Sequence, residues 1–194
     1  MHIIDVAARR FLERPSSKKK VVVNLGCGSD VLPWQCLTRY PDHCHGVKFV
    51  DIDFPDLMRK KCKIVQETPE LNSPLSGIKS TTEGHLMFQS DQYAQVGCDL
   101  RDLSNIEQSL STLVSLPDSE FLFVAEVSIT YMETEAADSV IRWASSLGQG
   151  TLLYNHTESP LLTNLKPSSV CWSKFFPMDQ ITLLQRQCYA ILKN

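Results

Sequence analysis

The stretch Val21-Val22-Val23-Asn24-Leu25-Gly26-Cys27-Gly28-Ser29-Asp30 constrains this chain more than any other. The run Val21–Leu25 is apolar apart from Asn24 and rich in β-branched residues. It is too short for a helix and suits a strand buried on both faces. Gly26 and Gly28 then let the backbone turn tightly and let a ligand approach it closely. A helix is predicted next, over Val31–Arg39, with Pro33 in the first turn, where the missing N–H leaves no helical hydrogen bond unmade. Strand, glycine turn and helix in this order open an α/β unit. Ligands of such sheets sit beyond the carboxyl ends of the strands.

The same alternation runs through the rest of the chain. Ile3–Leu12 reads as a helix, with Ile3, Ile4, Val6, Ala7 and Phe11 at helical spacing. Val47–Ile52 is a second strand and Pro55–Val65 a basic helix. Thr68–Glu83 reads as a loop, broken by Pro69, Pro74 and Gly77. Tyr93–Cys98, Phe121–Val124 and Thr151–Tyr154 are the remaining strands. Ile106–Leu116 and Glu133–Leu147 are helices, the second with Ala136, Val140, Ile141 and Ala144 on one side. Strands alternating with helices predict a parallel sheet covered by helices on both faces. Beyond Tyr154, Pro160, Pro167 and Pro177 interrupt the pattern, and Leu183–Leu192 fits either a helix or a strand. A chain of 194 residues with 43% hydrophobic residues suits a single domain with its own core.

Acidic residues recur where the strands end. Asp51-Ile52-Asp53 closes the second strand, Gly97-Cys98-Asp99-Leu100 the third and Ala125-Glu126 the fourth. Asp51 and Asp53 share a strand face, and Asp53 has the spacing from the glycine turn expected of an acid that binds ribose hydroxyls. The competing reading is a helix cap, since an Asp before Phe54-Pro55 suits a helix start. A dinucleotide site needs a third glycine so that pyrophosphate can sit on the helix N-terminus. Here Val31 occupies that place, and Asp30 would repel a pyrophosphate. S-adenosylmethionine has no phosphate, and its sulfonium and amino groups tolerate carboxylates such as Asp30 and Glu126. The strand ends therefore favour the methyl donor over a nicotinamide cofactor.

Charge and cysteine usage narrow the context. A net charge of −3 does not coat nucleic acid by bulk attraction, so an RNA partner would need a local basic patch. Lys18-Lys19-Lys20, with Arg9, Arg10 and Arg14 before it, reads as a solvated helix face and loop. The 7 cysteines include no Cys-x-x-Cys, and no signal peptide or membrane-length apolar run is present. A cytoplasmic protein with reduced thiols is expected. His43-Cys44-His45 lacks a second ligand pair at zinc-site spacing, so no metal is expected.

Four segments together resemble the leucine carboxyl methyltransferase family. They are Asn24–Asp30, Phe49–Leu57, Gly97–Leu103 and Ala125–Met132, in the family's order, within a family-like core of about 1–154. The resemblance implies a class I, Rossmann-like S-adenosylmethionine-dependent methyltransferase fold. One branch of the family methylates the C-terminal leucine carboxylate of protein phosphatase 2A catalytic subunits. The other is the tRNA wybutosine-synthesising branch, which acts on a modified guanosine in tRNA(Phe). Phe123–Ser128, Tyr131-Met132, Gly26-Cys27-Gly28 and Leu32-Pro33 look closer to the tRNA branch.

Carried over, the resemblance gives Gly26 and Gly28 the turn under the donor's methionine part. It gives Asp53 the ribose, Asp99 and Leu100 the adenine, Glu126 the donor's amino end and Tyr131 a place in the acceptor pocket. A carboxylate acceptor is already ionised at neutral pH, so no catalytic residue is expected and His85 and His156 are read as structural or surface residues. The family also has upstream basic residues on the donor's carboxylate, and the tRNA branch a large C-terminal β-propeller region. Against that pattern the chain reads as truncated at both ends and its sheet as incomplete at the C-terminus, with 155–194 a divergent tail.

Overall fold

The computed structural model describes residues 2–79, 83–147 and 151–155, with side chains for 4–79 and 83–147. Strand β1 (Lys19–Leu25) lies at the centre of one six-stranded sheet. It pairs in parallel with β2 (Lys48–Asp53) on one side and β5 (Ser119–Glu126) on the other. β4 (Tyr93–Gly97) adds parallel to β2, and β6 (Thr151–Asn155) adds parallel to β5. The sixth strand, β3 (Leu86–Gln89), runs antiparallel on the outer side of β4, with an irregularity between Leu86 and Phe88. The spatial order is β3-β4-β2-β1-β5-β6.

Helices cover both faces, as the alternation predicted. Val21, Val23, Leu25, Val50, Ile52, Phe121 and Phe123 point to the side of α5 (Leu103–Leu113) and α6 (Thr134–Ser146), where they pack with Ile106, Leu110, Val140, Ile141 and Ala144. Val22, Phe49, Leu122 and Val124 point the opposite way, onto α1 (His2–Glu13) and α2 (Leu32–Arg39) through Ile4, Ala8, Phe11, Leu32 and Trp34. On that same side α3 (Pro55–Glu67) buries Met58, Lys61 and Val65. A buried residue on each face of a strand is what makes its sequence a continuous apolar run.

The five strands expected run parallel, and the hairpin-like return at Ser90-Asp91-Gln92 adds β3 antiparallel at the edge, so the sheet is mixed. Two local expectations are corrected. The predicted loop Thr68–Glu83 contains a short helix, α4 (Pro69–Asn72), started by a proline in its first turn. Ala137, not Ala136, carries the buried face of α6. Leu183–Leu192, His156 and the 155–194 tail beyond Asn155 lie outside the described residues.

Candidate cofactor-binding site

The four predicted strand ends finish at one level. β1 and β2 pair as far as Leu25 opposite Ile52, and β1 and β5 as far as Asn24 opposite Val124. Continuing that register sets Gly26 level with Asp53 and Glu126, and Asp53 is itself paired with Gly97. The sheet therefore delivers a glycine turn and carboxylates to a single shelf.

The turn leaves β1 with positive φ at both glycines, +68° at Gly26 and +51° at Gly28. Their reasons differ. A Cβ on Gly26 would lie 2.3 Å from Ser128 Cβ, so the protein itself fills that space. A Cβ on Gly28 would meet nothing within 4 Å, so the open side of Gly28 is where a ligand can approach. Gly26 N–H donates to Ile52 O at 2.8 Å, and Asp30 N–H donates to Cys27 O at 2.9 Å, closing the turn.

Asp53 fastens the turn to β2. Its carboxylate accepts from Gly28 N–H at 2.8 Å and Phe54 N–H at 2.7 Å, while its carbonyl accepts from Cys98 N–H at 2.9 Å. A carboxylate offers about four lone-pair sites, which leaves capacity for a diol. The helix-cap alternative does not hold, because Phe54 is the N-cap of α3 and no side chain caps it. Asp51 shares Asp53's face but is fully buried and serves inside the protein. Lys61 Nζ lies 2.7 Å from its Oδ2, to which Tyr93 also donates at 2.6 Å. Burial alone would favour the neutral amine, but attraction to Asp51, joined by that to Cys27 and Asp30, holds the Lys61 pKa raised.

Asp99 and Leu100 follow β4. Arg101 folds back onto the Asp99 carboxylate, its Nε at 3.0 Å from Oδ1, and these hydrogen bonds hold the Asp99 carboxyl below the usual carboxylate range. Leu100 packs against the core while partly exposed. Asp102 caps α5 by accepting from Asn105 N–H at 3.3 Å. Glu126 ends β5 half-buried. Val127 next to it has φ +59°, a region that a β-branched side chain rarely enters, and Ser128 then donates to Leu25 O at 2.5 Å. Tyr131, at the end of a short 3₁₀ turn, is 85% exposed.

Lys61, Val127 and Ser128 have no assigned role in the sequence, although Val127 and Ser128 lie within the motif Ala125–Met132. A dihedral angle leaves no trace in composition. Lys61 does leave one, in that Met58, Lys61 and Val65 fall on one helical face. His85 Nδ1 sits 3.2 Å from Gly97 O, a backbone contact. His43 and His45 are exposed, whereas Cys44 between them is buried. Among the described residues no three His, Cys, Asp or Glu side chains gather to hold a metal.

The open face of Gly28 and the carboxylates of Asp53 and Glu126 thus lie at neighbouring strand ends. The profile of the family described as leucine carboxyl methyltransferase matches residues 2–145. The chain belongs to the leucine carboxyl methyltransferase family. Similar relatives of this chain are fungal proteins named tRNA wybutosine-synthesizing protein 4. The one from Neurospora crassa is 41% identical, over 87% of this chain and 20% of the relative. That from Gibberella zeae is 49% identical over 77% of this chain and 15% of the relative, and that from Aspergillus fumigatus 38% identical over 76% and 14%. The chain thus spans a fifth or less of the length of these curated relatives. No helix among the described residues is long and apolar enough to cross a membrane.

Proposed function

We propose that this domain binds S-adenosylmethionine and transfers its methyl group to a carboxylate, the acceptor being the side-chain carboxylate of a wybutosine precursor in tRNA(Phe). The observation that carries the reading is the single shelf formed by Gly26, Asp53, Gly97 and Glu126 around the open face of Gly28. The names of the similar fungal proteins favour the tRNA acceptor over a phosphatase tail. A cytosolic setting accords with the free cysteines of the described residues.

Bound there, S-adenosylmethionine supplies an electrophilic methyl carbon on a sulfonium leaving group. The chain's residues hold and align. Gly26 and Gly28 would bring backbone close to the methionine part. Asp53 would accept from the ribose hydroxyls with its remaining lone pairs. Asp99 and Leu100 would hold the adenine and Glu126 the amino group. Tyr131 would serve the acceptor side. An ionised carboxylate, of pKa about 4 in model compounds, needs no base to remove a proton. The work left to the protein is orientation and exclusion of water.

Calorimetric titration with S-adenosylmethionine, on the wild type and Asp53→Ala, tests the donor site. Micromolar binding that weakens by about 1.4 kcal/mol or more, a factor of ten, in the variant is expected. A folded wild type that binds no donor overturns the reading. Methyl-ester formation on hypomodified tRNA(Phe), against a C-terminal phosphatase peptide, then decides the acceptor.

A further inference from the structure

We propose that Lys61 is a positioning residue: its buried ammonium fixes the far end of the glycine turn in the shape the donor needs. The assignment rests on the donor reading above for the ligand's identity and on geometry for the rest.

A polar row crosses the middle of the sheet where apolar side chains would be expected. Asn24, Asp51 and Gln95 are partners in register across β1, β2 and β4, and they are 4%, 0% and 0% exposed. Lys61 reaches this row from α3 and joins it to the turn. Its Nζ is 2.7 Å from Asp51 Oδ2 and donates to Asp30 O at 2.6 Å. Tyr93 O–H donates to the same Asp51 oxygen at 2.6 Å and accepts from Gln95 Nε2 at 2.9 Å. Asn24 Nδ2 donates to the Asp30 carboxylate at 2.9 Å. Asp30, the last residue of the turn, is therefore held at its carbonyl by Lys61 and at its carboxylate by Asn24.

The arrangement is a poor way to stabilise a core. Desolvating two charges offsets most of their attraction, and apolar side chains of similar size serve stability as well or better. Two acceptors of the row, Asp51 Oδ1 and Gln95 Oε1, also find no donor among the described residues, which adds cost. Met58 and Val65 already anchor the same face of α3. What the ion pair adds is a fixed link between β2, α3 and the turn whose Gly28 N–H meets Asp53. A turn set before binding spares the donor the cost of ordering it.

The test uses the double variant Asp51→Asn/Lys61→Met, which removes both charges so that neither is stranded, beside wild type. Three quantities are read: cooperative thermal unfolding, amide exchange of the ligand-free protein by NMR, and the S-adenosylmethionine Kd by calorimetry. The folded variant is expected to show Gly28, Ser29 and Asp30 amides exchanging about tenfold faster or more, with Val21–Val23 amides unchanged and the Kd raised about tenfold. Turn exchange and Kd both at wild-type values in a folded variant overturn the proposal. Should the double variant not fold, Lys61→Gln takes its place. It keeps a donor for Asp51 on an arm too short to serve Asp30 as well, and the same two outcomes decide. If wild type binds no donor but the turn amides still loosen in the variant, the clamp stands and the donor assignment falls.

Discussion

At Gly26 the chain has no room for a side chain. Ser128 Cβ would lie 2.3 Å from an added methyl, and φ is +68°. Gly26→Ala is expected to lower stability by ~1–3 kcal/mol, measured by denaturant unfolding. Ser128→Gly in the same chain should recover part of the loss, and strict additivity of the two changes would refute the contact as its cause. Val127 presents the opposite case, a β-branched residue at φ +59° beside Glu126. Strain of this kind costs ~1–3 kcal/mol, and glycine's own backbone entropy takes back less than that. Val127→Gly should therefore raise the unfolding midpoint. A fall would mean that the lost side-chain packing outweighs the relieved strain. Under the proposed donor site, in which Glu126 holds the amino group, the gain is expected together with weaker donor binding.

Among the elements, α5 offers the cleanest test of local design. Asp102 accepts from Asn105 N–H and receives Asn105 Nδ2 at 2.6 Å. Asp102→Ala should cost ~1 kcal/mol, and no change in the denaturant midpoint would show that water caps the helix as well. The strands legible in the sequence are the mostly apolar runs of β1, β2, β4 and β5, because burial on both faces leaves a hydrophobic stretch, here interrupted at Asn24, Asp51 and Gln95. β5 begins earlier than its apolar run suggests. Ser119 and Glu120 pair with Lys19 and Lys20, and Glu120 meets Arg14 at 2.9 Å, so polar residues there are strand residues with partners. β3 went unread because Leu86-Met87-Phe88-Gln89 is too short to show a period. Lys61 lies inside Arg59-Lys60-Lys61, which the sequence offers only as part of a basic helix. Only its phase with Met58 and Val65 distinguishes it. The acids at the strand ends were visible as residue types. Which of them serve the interior, as Asp51 does, depends on register, and register is set by partners distant in sequence.

For the molecule as a whole, pH dependence follows from buried groups of two kinds. Burial pulls the Lys48 ammonium down to about 8. Above that pH the folded state loses this proton while the unfolded chain keeps it, so stability rises from pH 8 toward the unfolded value near 10.5. Over the unit from pH 8 to 9 the gain is on the order of 1 kcal/mol, and Lys48→Met should flatten it in thermal unfolding. Burial pushes the Cys36 and Cys44 thiols up to about 12 and about 11 from 9.0. Unfolded thiols ionise first, so these two contribute stability that is whole below pH 9 and is lost as pH rises through 11 and 12. Cys36→Ala/Cys44→Ala, although weaker at neutral pH, should decline less steeply above pH 9. An alkaline slope equal to that of wild type would contradict the assignment. The central place of β1 has a further consequence, in the order of synthesis. Lys19 pairs with Ser119, so one edge of the innermost strand emerges from the ribosome a hundred residues before its neighbour exists. At ~5–20 residues per second the nascent chain carries that bare apolar edge for roughly 5–20 s, a window in which holding chaperones, rather than the sheet, must keep Val21–Val23 from other partners.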